Sequence, residues 1–159
     1  MSGLSHVDKA GRARMVDVSG KDVTHRVASA EGSLICAPET LEAVLEGRTP
    51  KGAVISTAEI AGVMAAKRTS ELVPLCHPLT LDKIEVSIEA DRDLPGLHVR
   101  AEVKTTATTG VEMEALTAVS VACLTLFDML KAIDKGMRIT DIRVLSKAGG
   151  RSGDWSATP

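Results

Sequence analysis

The sequence contains one long apolar segment, residues 109–135 (TGVEMEALTAVSVACLTLFDMLKAIDK), around which any fold of this chain must be built. Its apolar residues recur at spacings of about three and four, which is the period of an α-helix. Between Leu116 and Phe127 the segment is apolar on nearly every side. It therefore predicts a long helix that is buried on more than one side.

The charges of this segment are confined to its two ends. Glu112 and Glu114 fall in the first turn, where the helix dipole favours negative charge, and Asp128 and Lys131 fall near the other end. Helix ends alone are the commoner explanation for such charges. A functional interpretation therefore depends on which other residues converge there.

Composition narrows the classes of function. The chain has 159 residues, 44% of them hydrophobic, and a formal net charge of −2, as expected for a soluble globular domain. One Trp, one Phe and no Tyr leave almost nothing to stack on bases, so we expect no nucleic-acid partner. The three cysteines lie too far apart for a disulfide framework or a paired metal-ligand spacing. The N-terminus lacks an apolar run, and no stretch is apolar enough to be a membrane span without charges close by, so we expect a cytoplasmic protein with no membrane partner.

The rest of the chain alternates between short strands and helices. Strand pieces are predicted at residues 15–18, 23–27, 33–36 and 142–145, the first three separated by turns at 19–20 and 31–32. Helices are predicted at residues 38–45 and 53–68, the first with a proline in its first turn. Residues 84–90 and 97–103 alternate apolar and polar side chains, and the stretch between them contains Pro and Gly. This pattern indicates a β-hairpin with one solvent-exposed face.

The order of these elements indicates a fold. From about residue 23 it runs strand, helix, strand, strand, helix, strand, which is the ferredoxin-like split βαβ arrangement. We therefore predict an α+β protein with a four-stranded antiparallel sheet and helices packed on one face. Residues 15–153 would form a single ferredoxin-like domain, between a flexible N-terminal segment at 1–14 and a flexible tail at 154–159.

One histidine has an unusual setting. His77 lies between Pro74 and Pro78, which restrict the backbone on both sides of it. A lone histidine is more often structural than catalytic. Its value as an acid or base is that its reference pKa lies near neutrality.

Two basic stretches resemble anion-binding loops. Residues 147–153 (KAGGRSG) offer backbone N–H groups with the cations Lys147 and Arg151, and Lys51 precedes a helix N-terminus. Alone these are weak signals, and Arg26 and Lys67 are as easily solvated surface residues. Together with the carboxylates and the histidine, the set suits acid–base work on an anionic, phosphorylated small molecule.

Three stretches carry a family resemblance: KGAVISTAEIAGVMAAKRTSELVPLCHPL, TGVEMEALTAVSVACLTLFDMLKAIDKGM and KAGGRSG. With MVDVS and VTHRVA near the start, they resemble the MoaC family, the cyclic pyranopterin monophosphate synthases of molybdenum cofactor biosynthesis. The resemblance covers residues 15–153. The family usually has Asp where Ala53 stands and Lys where Arg151 stands, so we expect position 53 to lack the capping or contact role of that Asp.

The resemblance implies an activity and an assembly. Members convert 3′,8-cyclo-7,8-dihydro-GTP, made from GTP, into cyclic pyranopterin monophosphate and release pyrophosphate. They are ferredoxin-like and hexameric, a trimer of dimers. We expect no tightly bound cofactor and no metal site built by the protein, although Mg²⁺ could accompany the substrate phosphates.

The resemblance also implies site residues. The catalytic positions would be Asp128, Lys131, His77 and Lys51. The substrate-binding positions would be Leu75, Cys76, His77, Glu112, Met113, Glu114, Arg26, Lys67, Lys147 and Arg151. The sequence also permits a non-catalytic nucleotide sensor on the same fold, which would need the phosphate-binding cations but not Asp128 paired with Lys131.

If Glu112 and Asp128 belong to one site, as the resemblance implies, the length of the helix indicates that one subunit does not complete that site. Glu112 and Asp128 are separated by about 24 Å on a straight helix at 1.5 Å per residue. Two such helices, antiparallel about a two-fold axis, would bring the Glu112 end of one chain beside the Asp128 end of its partner. Alternatively, the helix starts after Glu114 or bends, and the glutamates fold back within one subunit.

Overall fold

The fold is one antiparallel sheet with helices on one face. The computed structural model describes residues 5–159 and contains, in chain order, β1 Thr24–Ile35, α1 Pro38–Leu45, α2 Val54–Lys67, α3 Thr69–Leu72, β2 Lys83–Asp91, β3 Gly96–Ala107, α4 Glu112–Leu130, β4 Arg138–Ala148 and β5 Trp155–Ser156. The strand order is β2-β3-β1-β4-β5, and every neighbouring pair is antiparallel. The predicted α+β, ferredoxin-like arrangement is confirmed, with a fifth short strand added at the β4 edge.

β1 is one continuous strand, and the turn predicted at residues 31–32 is wrong. Gly32 pairs with Val99 of β3 within an unbroken register. A Cβ at Gly32 would lie 2.8 Å from Cγ1 of Val119 in α4 and 2.9 Å from Cγ1 of Ile142 in β4. The helix crosses so close to the sheet at this position that only glycine leaves room for it. The predicted strand at 15–18 is also wrong, because these residues precede β1 without pairing in a strand.

α4 is the central helix of the core. Ten of its residues are buried, and they pack on the sheet and on α2. Within residues 5–159 it is also the one helix that is long and apolar enough to cross a membrane by length and composition. Its burial against the sheet accounts for that apolar character.

α2 lies antiparallel to α4. Gly62 of α2 approaches the carbonyl oxygen of Ala118, where an added Cβ would come within 2.9 Å. Further along, Lys51 just before α2 contacts Asp128 near the end of α4. The start of each helix therefore lies beside the end of the other.

The segments predicted to be flexible contain paired residues. Val7 bridges Ala13, and β5 pairs with β4 through Ser156 and Trp155. Residues 1–4 lie outside the described part of the chain. The mobility of both ends, and the single-domain boundary at 15–153, stay predictions.

Candidate functional site

Asp128 lies between two ammonium groups. Its Oδ2 is 2.9 Å from Nζ of Lys51, and its Oδ1 is 2.8 Å from Nζ of Lys131. Hydrogen bonds from Lys131 and then Lys51 lower the pKa of Asp128 to about 2. At neutral pH this group is therefore a carboxylate, and about half of its side chain is open to solvent.

The fold explains how these three residues meet. Asp128 is in the last turn of α4, and Lys131 caps the same helix. Lys51 comes from the turn before α2, and the next residue of that turn, Gly52, has a positive φ of 88°. Antiparallel packing of the two helices brings the three side chains together, and we call them the Asp128 cluster.

A second group surrounds the N-terminal end of α4. Oε1 of Glu112 lies 3.6 Å from Nζ of Lys147, which comes from the end of β4. Glu114 is 3% exposed, and the Cys76 thiol donates to its Oε1 across 3.6 Å. The other oxygen of Glu114, Oε2, is buried without a hydrogen-bond partner. Burial raises the pKa of Glu114, so this carboxyl holds a proton more readily than an exposed glutamate does.

The predicted thiol and imidazole are adjacent in this group. Burial, and then the charge of Glu114, raise the pKa of Cys76 to about 11, so the thiol is neutral and a poor nucleophile. Nε2 of His77 lies 2.6 Å from the carbonyl oxygen of Val16. Leu75, in the same loop, is half-buried.

Arg26 and the glycine-rich loop form the border of this group. The Arg26 guanidinium donates to the carbonyl oxygens of Ala107 at 3.1 Å and Thr108 at 3.2 Å, just before α4. Gly150 has a φ of 79°, which favours glycine, and an added Cβ there would meet the Arg26 guanidinium, so the loop passes close over Arg26. A cavity of about 430 Å³ lies beside them, lined by Lys21, Asp22, Thr24, Arg26, Gly150, Arg151 and Ser152.

This cavity includes residues that we had not predicted. Lys21 lies only two residues after the MVDVS stretch, and this closeness was the one available signal for it. Nothing in the sequence distinguished Asp22 or Ser152 from ordinary loop residues. Ser152 accepts a hydrogen bond from Nζ of Lys147 at 2.7 Å, which links the loop to Glu112. Six residues around this end of α4 form a second cluster, which we call the Glu112 cluster: Arg26, Cys76, His77, Glu112, Glu114 and Lys147.

The structure does not bring the two clusters together within one chain. Glu112 and Asp128 begin and nearly end α4, so they are about 24 Å apart at 1.5 Å per residue. The alternative in which the helix starts after Glu114 is wrong, since α4 starts at Glu112. Met113 and Lys67 are both exposed. Lys67 is the last residue of α2 and lies at the same end of the helical layer as Glu112.

Position 53 lacks a capping side chain. Ala53 is the N-cap of α2 and makes no side-chain hydrogen bond to the helix. Its backbone is extended, with φ −69° and ψ 91°, which suits an N-cap. An Asp at this position could accept hydrogen bonds from the first turn, so its absence leaves N–H groups uncapped beside Lys51.

Among residues 5–159 no three His, Cys, Asp or Glu side chains come close enough together to hold a metal ion. The site instead combines carboxylates, one imidazole and several cations at two ends of one helix. That combination can move protons and hold a polyanion.

Fold and site together define an α+β domain equipped for acid–base chemistry on an anionic ligand, and comparison with known proteins gives the family. A sequence model described as "MoaC family" matches residues 15–150. A protein of Methylobacterium sp. named cyclic pyranopterin monophosphate synthase is 58% identical over 159 residues, covering 100% of this chain and 99% of the relative. A protein of the same name from Brucella ovis is 59% identical, covering 99% of this chain and 96% of the relative. This chain belongs to the MoaC family.

Proposed function

We propose that this chain is a cyclic pyranopterin monophosphate synthase of molybdenum cofactor biosynthesis. It converts 3′,8-cyclo-7,8-dihydroguanosine 5′-triphosphate into cyclic pyranopterin monophosphate and releases pyrophosphate, which makes it a phosphorus–oxygen lyase. The observation that carries the proposal is the Asp128 carboxylate held between Lys51 and Lys131. A protein that only senses a nucleotide needs cations but has no use for that carboxylate.

Asp128 and Lys131 do the acid–base work in this proposal. While both lysines bind it, the carboxylate is a weak base. A triphosphate that draws Lys51 toward its own negative charge removes one of the two hydrogen bonds and makes Asp128 more basic. Asp128 then accepts a proton from the substrate, and Lys131 donates one during the rearrangement of the ring.

The phosphate step requires cations around the leaving group. A sugar hydroxyl oxygen bonds to the α-phosphorus as the bond from that phosphorus to the bridging oxygen breaks. Pyrophosphate leaves with the bonding electrons, and the hydroxyl proton passes to a base. Lys51, Lys147 and Arg151 hold the triphosphate, with Arg26 and Lys67 as further phosphate ligands, because fixed positive charge stabilises the negative charge that develops. Mg²⁺ accompanies the phosphates, and no other cofactor is required.

The complete site forms between two chains in this proposal. The outer side of the helical layer exposes Ile60, Met64, Met113 and Leu124, each at least two-fifths accessible. A second copy related by a two-fold axis would cover these apolar side chains and place its Glu112 cluster beside the Asp128 cluster of the first. Such dimers assemble into the trimer of dimers that the family resemblance implies, in the cytoplasm.

One assay tests the activity. The chain is incubated with the cyclo-dihydro-GTP intermediate and Mg²⁺, and pyrophosphate and the pterin product are measured. We expect stoichiometric pyrophosphate release that becomes much slower in Asp128→Ala. Tight binding without turnover would contradict the proposal and support the nucleotide sensor.

A further inference from the structure

His77 contacts the N-terminal part of the chain. Its Nε2 lies 2.6 Å from the carbonyl oxygen of Val16, 61 residues earlier. A carbonyl oxygen only accepts hydrogen bonds, so Nε2 carries a hydrogen in this contact. In the neutral ring Nδ1 is then unprotonated, and in the charged ring both nitrogens are protonated. While the contact lasts, only Nδ1 can gain or lose a proton.

The loop that carries His77 is held beside the Glu112 cluster. Pro74 and Pro78 restrict the loop, and the N–H of Cys76 donates to the carbonyl of Val73 at 3.1 Å. The neighbouring Cys76 thiol contacts Glu114 in the Glu112 cluster. His77 therefore lies at the edge of the proposed site with its backbone fixed.

The segment that carries Val16 has structure of its own. The N–H of Ser19 donates to Oδ1 of Asp17 at 2.9 Å, and the N–H of Lys21 donates to the carbonyl of Val18 at 3.1 Å. These turns orient the chain on the C-terminal side of Val16. We call residues 15–18 the strap.

We propose that the strap is part of the site and that Val16 is a positioning residue, whose carbonyl restricts the proton exchange of His77 with the bound nucleotide to Nδ1. This deepens the proposed function and rests on it for the identity of the nucleotide. The neutral ring accepts a substrate proton at Nδ1 and becomes an imidazolium, which still donates through Nε2 to Val16. Returning the proton from Nδ1 restores the neutral ring, so the imidazole acts as a shuttle with no net change.

The tautomer can be read directly by nitrogen NMR. The full-length protein is labelled at the histidine ring nitrogens, and the signals of His77 are those that vanish in His77→Gln. In the neutral ring we expect Nε2 protonated and Nδ1 unprotonated. A predominant Nδ1–H tautomer would overturn the proposal.

Substitutions in the full chain test whether the imidazole holds the strap. The Gln amide nitrogen reaches about as far as Nε2 and can donate to Val16, whereas Ala cannot. We expect amide hydrogens of Ser19 and Lys21 to exchange about tenfold faster in His77→Ala, from the loss of roughly one hydrogen bond, and at close to the normal rate in His77→Gln. His98→Ala is the control, because His98 contacts Ser33 and Asp91 on the open face of the sheet. Unchanged exchange in His77→Ala would overturn the strap.

The activity assay separates the two proposals. If pyrophosphate is not released although the tautomer and exchange results are as expected, the proposed function fails and the contact between the strap and His77 stands. If the enzyme is active but His77 carries its hydrogen on Nδ1, the strap proposal alone fails.

Discussion

Lys51 and Asp128 are 77 residues apart in the sequence, yet Nζ of one lies 2.9 Å from Oδ2 of the other. This contact joins the start of α2 to the end of α4, and it lowers the basicity of the proposed catalytic carboxylate. We therefore expect Lys51→Met to raise the pKa of Asp128 from about 2 toward its ordinary value of 3.8, without reaching it because Lys131 remains. Carboxyl-carbon NMR during an acid titration measures the change. Lys135→Met is the matched control, and an unchanged Asp128 pKa in Lys51→Met would contradict the contact.

Removing either side chain of the proposed acid–base pair will affect turnover. We expect Asp128→Ala and Lys131→Ala each to lower the rate of pyrophosphate release by roughly 10²–10⁴-fold, the usual contribution of a positioned acid or base. Circular dichroism should be unchanged, since both side chains are more than half exposed. Near-normal activity in both variants would show that the assignment is wrong.

The cysteines provide the contrast to that pair. Cys76→Ser and Cys123→Ser should retain far more activity, because neither thiol is a good nucleophile. Burial raises the pKa of both thiols to about 11, and at Cys76 the charge of Glu114 adds to this effect. A folded but inactive Cys76→Ser protein would point to covalent catalysis instead.

Glu114 should make stability depend on pH in one direction. Burial raises its pKa above 4.5, so the folded state holds a proton that the unfolded state releases. The free energy of unfolding therefore decreases as pH rises from about 4.5 through the folded-state pKa. We expect Glu114→Gln, measured by urea unfolding, to gain stability relative to the native chain as pH rises over this range. The matched control is Glu112→Gln, which removes a partly exposed carboxylate at the same end of α4.

A composite site predicts complementation between two inactive variants. Glu112→Ala and Asp128→Ala proteins are dissociated, mixed and reassembled, and the activity of the mixture is compared with each protein alone. If each site takes Glu112 from one chain and Asp128 from the other, a mixed dimer contains one intact site and activity returns. No recovery, despite subunit exchange shown by mass spectrometry, would rule out the shared site.

Position 53 offers a test of helix capping. Ala53→Asp should stabilise the protein by about 1 kcal/mol, the usual gain from an N-cap side chain that accepts from the first turn. This corresponds to a rise in Tm of about 2–4 °C for a protein of this size. Ala53→Val, which cannot accept a hydrogen bond, is the control, and equal Tm values for the two variants would show that the introduced carboxylate does not cap α2.

Features that depend on neighbours along the chain could be predicted before the fold was known. The three- and four-residue period of α4 and the alternation in β2 and β3 identified these elements, because each pattern follows from which side of a helix or strand faces the core. Prediction from the sequence missed the continuity of β1, since Gly32 looks like a turn residue unless the approach of Val119 is known. It also missed β5, whose two residues carry no pattern of their own.

Which charges meet depends on how the helices and strands pack together. The charges of α4 were visible in the sequence, but their partners Lys51 and Lys147 come from distant segments that reach it when α2 and β4 pack around the helix. The contact of His77 with Val16 arises in the same way, across 61 residues. Side-chain periodicity carries no information about such pairs. They follow from the packing of whole elements, which brings the ends of α4 to two separate groups of partners.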